Sequence, residues 1–247
     1  QAGHRVTLCV RHPLDSLTVE RGGLRRRLRL PAVTAPEAVL TPVDWLLLAV
    51  RARDTPRILP WLRRLTGPST TVVALQNGVA HHERLDPLLA LGELLPALLH
   101  LSAERLAPGH VRHRWGRRVA VPAGEAGTAL AHLLAGTEVE VACERDFTTA
   151  AWRKLLTGLA ADPLTALTLR RVGVLSHPDV RDLACGMLTE AVAVGRAEGA
   201  RLSIGDVEQT LDLFAAMHPH SGTSMLHDRM AGRAVEHDPT VGAVVRA

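Results

Sequence analysis

The feature that most constrains this chain is a change of hydrophobic rhythm at Asp146. Before it, short apolar runs alternate with helical stretches; after it, every periodic segment has helical spacing. A sheet buries a face and a helix buries a stripe, so a chain that switches in this way builds two cores. The expected organisation is an α/β domain over residues 1–143 and an all-α domain over residues 144–247.

Residues 1–6 read as a helix tail closed by Gly3, entering a strand over residues 6–10 with Arg11 at its end. Residues 44–50, D-W-L-L-L-A-V, form the near-continuous apolar run that a parallel strand buried on both faces requires. A helical stretch over 56–65 separates it from a strand over 70–75. Helices between parallel strands impose right-handed crossovers, and so a doubly wound sheet. Further strands are expected over 94–102, 111–113, 119–121 and 139–142, with a helix over 126–134 before the last. Asp146 is the expected N-cap of a long helix, followed by helices over 179–199 and 204–217 and a third within 221–245.

Composition removes several classes of function. The 247 residues are 47% apolar, enough for real cores, but only 2% aromatic with no tyrosine. That leaves few stacking platforms for single-stranded nucleic acid. The net charge of +4 is modest. The densest basic run, arginines 25–27 between Leu24 and Leu28, reads as the solvated face of a surface strand before it reads as a nucleic-acid patch. Cys9, Cys143 and Cys185 are scattered, and neither they nor the dispersed histidines have ligand spacing, so no metal site or disulfide framework is expected. No apolar run approaches a membrane span and no signal peptide is visible, which makes a reduced, cytoplasmic protein the expectation.

Three stretches carry polar groups at spacings that chemistry can use. Residues 75–78, L-Q-N-G, put Asn77 at the carboxyl end of a parallel strand, where open α/β folds bind ligands. Asn-Gly is also a turn former in its own right. Residues 152–156, W-R-K-L-L, set Lys154 among apolar side chains, which strip its hydration, lower its pKa and make it a better proton donor near neutrality. A lysine in that position otherwise snorkels to solvent. In residues 221–236, S-G-T-S-M-L-H-D-R-M-A-G-R-A-V-E, Ser224 and Asp228 share a helical face, and Glu236 stands about 18 Å from Ser224 if the helix is unbroken.

In this order, L-Q-N-G, W-R-K-L…P-L-T-A-L and S-M-L-H-D…G-R-A-V-E-H-D resemble the motifs of the ketopantoate reductases (2-dehydropantoate 2-reductases). The resemblance implies a Rossmann-like dinucleotide-binding domain and a helical substrate and dimerisation domain, with a homodimer as one option. It implies reduction of 2-dehydropantoate, a small keto acid, to pantoate on the way to pantothenate and coenzyme A. By the same resemblance Lys154 protonates the ketone oxygen, and Asn77 contacts the nicotinamide ribose and positions the lysine. Ser224 faces the substrate, Glu236 accepts from a ribose hydroxyl, and Arg51 replaces a lysine near the cofactor. Residues 9–12, C-V-R-H, offer no acid to a ribose 2′-hydroxyl, whereas Arg11 suits a 2′-phosphate, so NADP(H) is the expected cofactor.

The chain also departs from the family pattern. Gly158, Asp162, Val172 and Ser221 stand where the family has substrate-binding asparagines; glycine has no donor and an aspartate repels a carboxylate. A reductase of another keto acid or ketone is therefore the first alternative. No G-x-G-x-x-G occurs in the 247 residues. The sequence reads as truncated at both ends relative to the family pattern, a genuine loss of the phosphate loop being the other explanation. A non-catalytic module is then the second alternative.

Overall fold

The computed structural model describes residues 3–247; the first two residues of the helix tail expected over 1–6 lie outside them, and residues 3–6 are not helical. Two units divide the chain. The first comprises Gln1–Val50, Asp54–Gln76 and His81–Arg145, the second Arg51–Arg53, Asn77–Ala80 and Asp146–Ala247. Sequence rhythm places one cut at 143/144. The last strand of the first unit runs on through Glu144, and two short segments that follow parallel strands group with the helices.

In the first unit, β1 (Leu8–Cys9), β2 (Leu17–Arg21), β3 (Leu24–Leu28) and β4 (Ala32–Val33) come first. β1 pairs with β4 in parallel, and β2 turns into β3 through Gly22–Gly23, both at positive φ as a two-residue hairpin demands. Every residue of β3 is exposed, so arginines 25–27 do lie on a solvated strand. β5 (Trp45–Leu48), α1 (Leu59–Leu65), β6 (Thr71–Ala74), α2 (His81–Leu85) and β7 (Glu93–Pro96) build a three-stranded parallel sheet in the order β5-β6-β7. Its side chains alternate between two cores. Val72, Ala74 and Leu94 meet Leu48, Leu62 and Leu85 on one face. Val73 and Leu95 meet Val119, Val121 and Leu130 on the other. Burial on both faces is why this segment reads as an unbroken apolar run.

β8 (Leu98–Ala107), β9 (His110–Pro122), α3 (Glu125–Leu133) and β10 (Glu140–Glu144) complete the unit. Here the strands differ from expectation. The run over 94–102 divides into β7 and β8, while 111–113 and 119–121 belong to one strand. β8 and β9 are antiparallel, and β9 also pairs in parallel with β2 and β10. Among the described residues the hydrogen bonds draw three sheets, not one continuous doubly wound sheet. Local turn chemistry shapes this part: Pro108 and Gly109, the latter at φ 68°, send the chain straight back beside itself as an antiparallel hairpin.

The second unit is helical throughout, as the sequence indicates. Its axis is α4 (Phe147–Thr168), capped by the Asp146 carboxylate, which accepts from the Thr149 N–H at 3.1 Å. Trp152, Leu155, Leu156, Leu159 and Leu164 bury several sides of α4, so neighbours must sheathe it. They are α5 (Pro178–Ala197), α6 (Ile204–Ala216) and α7 (Ser224–Met230). α5 approaches closely because Gly195 lacks a side chain; a β-carbon there would stand 2.9 Å from the Trp152 ring. Pro163, inside α4, has no N–H, so the Leu159 carbonyl loses its helical donor beside Gly158.

The C-terminal signature is not one helix. α7 ends at Met230, and Gly232 at φ 64° lets the Arg233 N–H reach back to the Asp228 carbonyl at 2.8 Å, a Schellman-type close. The residues over 231–240 are irregular, and α8 (Val241–Arg246) follows. An unbroken 18 Å span from Ser224 to Glu236 therefore does not exist.

Candidate functional site

Lys154 and Asn77 meet in the second unit. The Lys154 ammonium donates to Asn77 Oδ1 at 2.9 Å. Lys154 is half-buried beside Trp152, Leu155 and Leu156. Burial lowers its pKa, opposed by the charge of Asp162. The lysine does not snorkel away; it is held by a named partner. Asn77 owes its place to the next residue. Gly78 sits at φ 102°, and a β-carbon there would run into the Pro239 carbonyl, so only glycine lets the 77–80 segment press against the chain after Glu236.

Gly158 and Asp162 follow Lys154 at one-turn intervals on α4. Asp162 Oδ2 lies 3.3 Å from where a Gly158 β-carbon would be. Burial raises the Asp162 pKa from 3.8 to about 6, although the Thr223 side chain, Lys154, Arg51 and the Met225 amide all favour its charged form. Thr223 caps α7, accepting from the Leu226 N–H at 3.2 Å, and its hydroxyl shares a hydrogen bond with Thr165 at 2.8 Å. Ser224 is exposed, with no hydrogen-bond partner for its hydroxyl among the described residues. Ser221 and Val172 meet through the backbone, the Val172 N–H donating to the Ser221 carbonyl at 3.0 Å. Val172 itself is buried.

A second cluster surrounds Arg51. Its guanidinium stands 2.9 Å from Asp228 Oδ2, an ion pair without an aligned hydrogen bond, and donates to Glu236 at 3.2 Å. Arg233 donates to the other Asp228 oxygen at 2.8 Å. Glu236 also accepts from the Ala52 N–H at 2.6 Å, and the Arg53 guanidinium donates to the Ala234 carbonyl. Both carboxylates are almost wholly shielded, at 4% and 10% side-chain exposure. They hold residues 51–53 against the segment after α7. The oxygens of Glu236, expected to face a ribose hydroxyl, are here engaged by the protein's own donors.

Arg11 belongs to the first unit, where it is exposed and pairs with Asp54 at 3.2 Å. That unit also has a surface cavity of about 450 Å³ lined by Arg21, Arg25, Arg112 and Arg114. Its charges are answered internally: Glu20 takes Arg25 and Arg112 at 2.6 and 2.8 Å, Glu138 takes Arg21, and Glu104 takes Arg114. Among the described residues no group of three or more His, Cys, Asp or Glu side chains could hold a metal ion.

The family model for ketopantoate reductase PanE/ApbA matches residues 1–126, and that for its C-terminal domain matches residues 146–247. A 2-dehydropantoate 2-reductase of Caulobacter vibrioides is 40% identical over 98% of this chain and 83% of its own length. One from Mycobacterium tuberculosis is 39% identical over 100% of this chain and 83% of its length. The chain belongs to the ketopantoate reductase family. A crystal structure of a PanE/ApbA family ketopantoate reductase from Ralstonia eutropha superposes with a TM-score of 0.89 at 29% identity, covering 99% of this chain and 84% of that one.

Within the ketopantoate reductase family pattern, the structure brings Lys154 to Asn77, sets Asp162 over Gly158, and joins Arg51 to Glu236. Among the described residues neither Ser224 nor Ser221 is in hydrogen-bond contact with Lys154, and Arg11 belongs to the first unit. Sequence reasoning missed Thr223, Arg53 and Pro239. For Thr223 a signal existed, a threonine at the start of a helical pattern. For Pro239 there was none, because its role depends on a tertiary approach.

Proposed function

We propose that this chain reduces 2-dehydropantoate to pantoate with a nicotinamide dinucleotide, and that Lys154 is the proton donor. The observation that carries this reading is the Lys154 ammonium, lowered in pKa by burial and aimed by Asn77 at 2.9 Å. The donor set fits the nicotinamide end of such a cofactor with a ketone beside it. Two of the three Lys154 N–H groups and the Asn77 amide nitrogen have no protein partner among the described residues.

A bound nicotinamide dinucleotide supplies the hydride that reaches the keto carbon. Lys154 gives a proton to the ketone oxygen as negative charge grows there, and then regains one from water. Its lowered pKa makes the ammonium a stronger acid, and its positive charge offsets the developing alkoxide. Asn77 limits the directions the long side chain can take, which keeps the proton on the line of transfer.

The finer reading is NADP(H) over NAD(H). It is supported by the exposed Arg11 guanidinium just after β1 and by the absence of an acid in residues 9–12. Free Cys9, Cys143 and Cys185 agree with a reducing, cytoplasmic setting. Leu167, Leu169 and Leu183 on the helical unit are exposed apolar side chains that a homodimer would cover.

A second reading, a reductase of a different keto acid, is favoured by Gly158 and Asp162. Oxidation of NADPH, and of NADH in parallel, with 2-dehydropantoate and a panel of keto acids and ketones separates them. A clearly higher kcat/KM for 2-dehydropantoate is expected; equal values across the panel would remove the pathway assignment.

A further inference from the structure

Lys154 and Asp162 flank a turn of α4 that carries no side chain, at Gly158. Helical side chains lean toward the N-terminus, and Asp162 leans until its Oδ2 lies 3.3 Å from where a Gly158 β-carbon would stand. The carboxyl group is thus aimed across the bare turn toward Lys154, and each charge acts on the other. A 2-keto acid carries its carboxylate on the carbon next to the ketone. A ketone oxygen within hydrogen-bond reach of the Lys154 nitrogen therefore brings a carboxylate to within roughly 6 Å of it. The turn at Gly158 leaves room on α4, since only the Asp162 carboxyl lies within 4 Å of where its β-carbon would stand.

We propose that Asp162 is a specificity residue whose proton decides whether the place over Gly158 accepts a carboxylate. This rests on the reductase reading. The neutral acid donates a hydrogen bond to the substrate's carboxylate, as an amide at the same position would; the charged form repels it.

The surroundings fit such a role. The charged groups acting on Asp162 are Lys154 on its own helix and Arg51 from residues 51–53. Arg51 is already shared by Asp228 and Glu236, and Arg233 takes the remaining Asp228 oxygen. From α7 come uncharged donors, the Thr223 hydroxyl and the Met225 N–H. No cation is committed to Asp162 in a salt bridge among the described residues, and burial holds its proton on to about pH 6.

The test is the KM for 2-dehydropantoate from about pH 5 to 7.5 at saturating NADPH. In the wild type KM should rise roughly tenfold above pH 6, with kcat changing much less. In Asp162→Asn it should stay low and flat. Thr223→Val, which removes a donor to the charged form, should move the rise to higher pH and serves if Asp162→Asn does not fold. A KM with the same pH dependence in wild type and variants overturns the proposal. Failure of the reductase reading looks different, because no keto acid is then reduced at any pH. In that event calorimetry with pantoate as the carboxylate probe decides: binding that weakens above pH 6 only while Asp162 is present sustains the proposal, and pH-independent or absent binding sinks it.

Discussion

At the scale of single residues, the chemistry depends on where one ammonium is held. Lys154 donates to Asn77 at 2.9 Å, and burial favours the loss of its proton. Lys154→Ala removes the acid and its charge but leaves the fold of α4 intact, since alanine is a good helix former. Turnover should fall about 10²–10⁴-fold, the usual worth of a positioned proton donor. The dissociation constant of NADPH, read by fluorescence, should change little. Equal losses in turnover and in cofactor affinity would mean that the lysine serves binding or structure.

At the scale of elements, the legible parts of the sequence were those governed by local rules. Asp146 announced α4 because a cap is a matter of three residues, and β6 announced itself because burial on both faces leaves an unbroken apolar run. The β8–β9 hairpin was not legible as one, since two short apolar runs with a glycine between them read equally well as separate strands. Local context marked Lys154 and Asn77 as candidates, but only the family motifs assigned their roles and that of Glu236. That Glu236 answers Arg51 and Ala52, far away in sequence, no spacing could foretell. Gly78 lies between these cases: Asn-Gly signals a turn, but the pressure of Pro239 on it is tertiary. Gly78→Ala should therefore cost more than a left-handed backbone alone, at least about 2 kcal/mol, because φ 102° and the Pro239 carbonyl act together. Urea unfolding would show it, and a midpoint within error of wild type would mean that the 77–80 segment adapts freely.

For the whole molecule, carboxyl groups shifted by their surroundings make stability depend on pH in two opposing ways. Asp146 has its pKa lowered by bonds from Thr149 and by Arg201, and Glu20 by Arg112, His110 and Arg25. Asp206 is raised by burial but lowered more by Arg153 and Ser203. Each of these contributes stability above the ordinary carboxylate range that is lost as pH falls through the lowered value. Asp162 has the opposite sign. Its pKa rises from 3.8 to about 6, so the folded chain binds that proton more tightly than the unfolded chain. Stability is therefore lost as pH climbs from about 4 to about 6, by at most about 3 kcal/mol, and stays low above. Lys154, lowered from 10.5, does not titrate in the unfolded chain within this window. The protein should thus be most stable between about pH 4 and 5, where the acid limb of the three lowered carboxylates gives way to the limb belonging to Asp162. Urea midpoints at about pH 5 and pH 7 should fall for wild type and remain level for Asp162→Asn, the difference between the two isolating the buried carboxyl from every other group. A wild type no less stable at pH 7 than at pH 5, relative to the variant, would mean that Asp162 finds its charge well solvated in the folded protein.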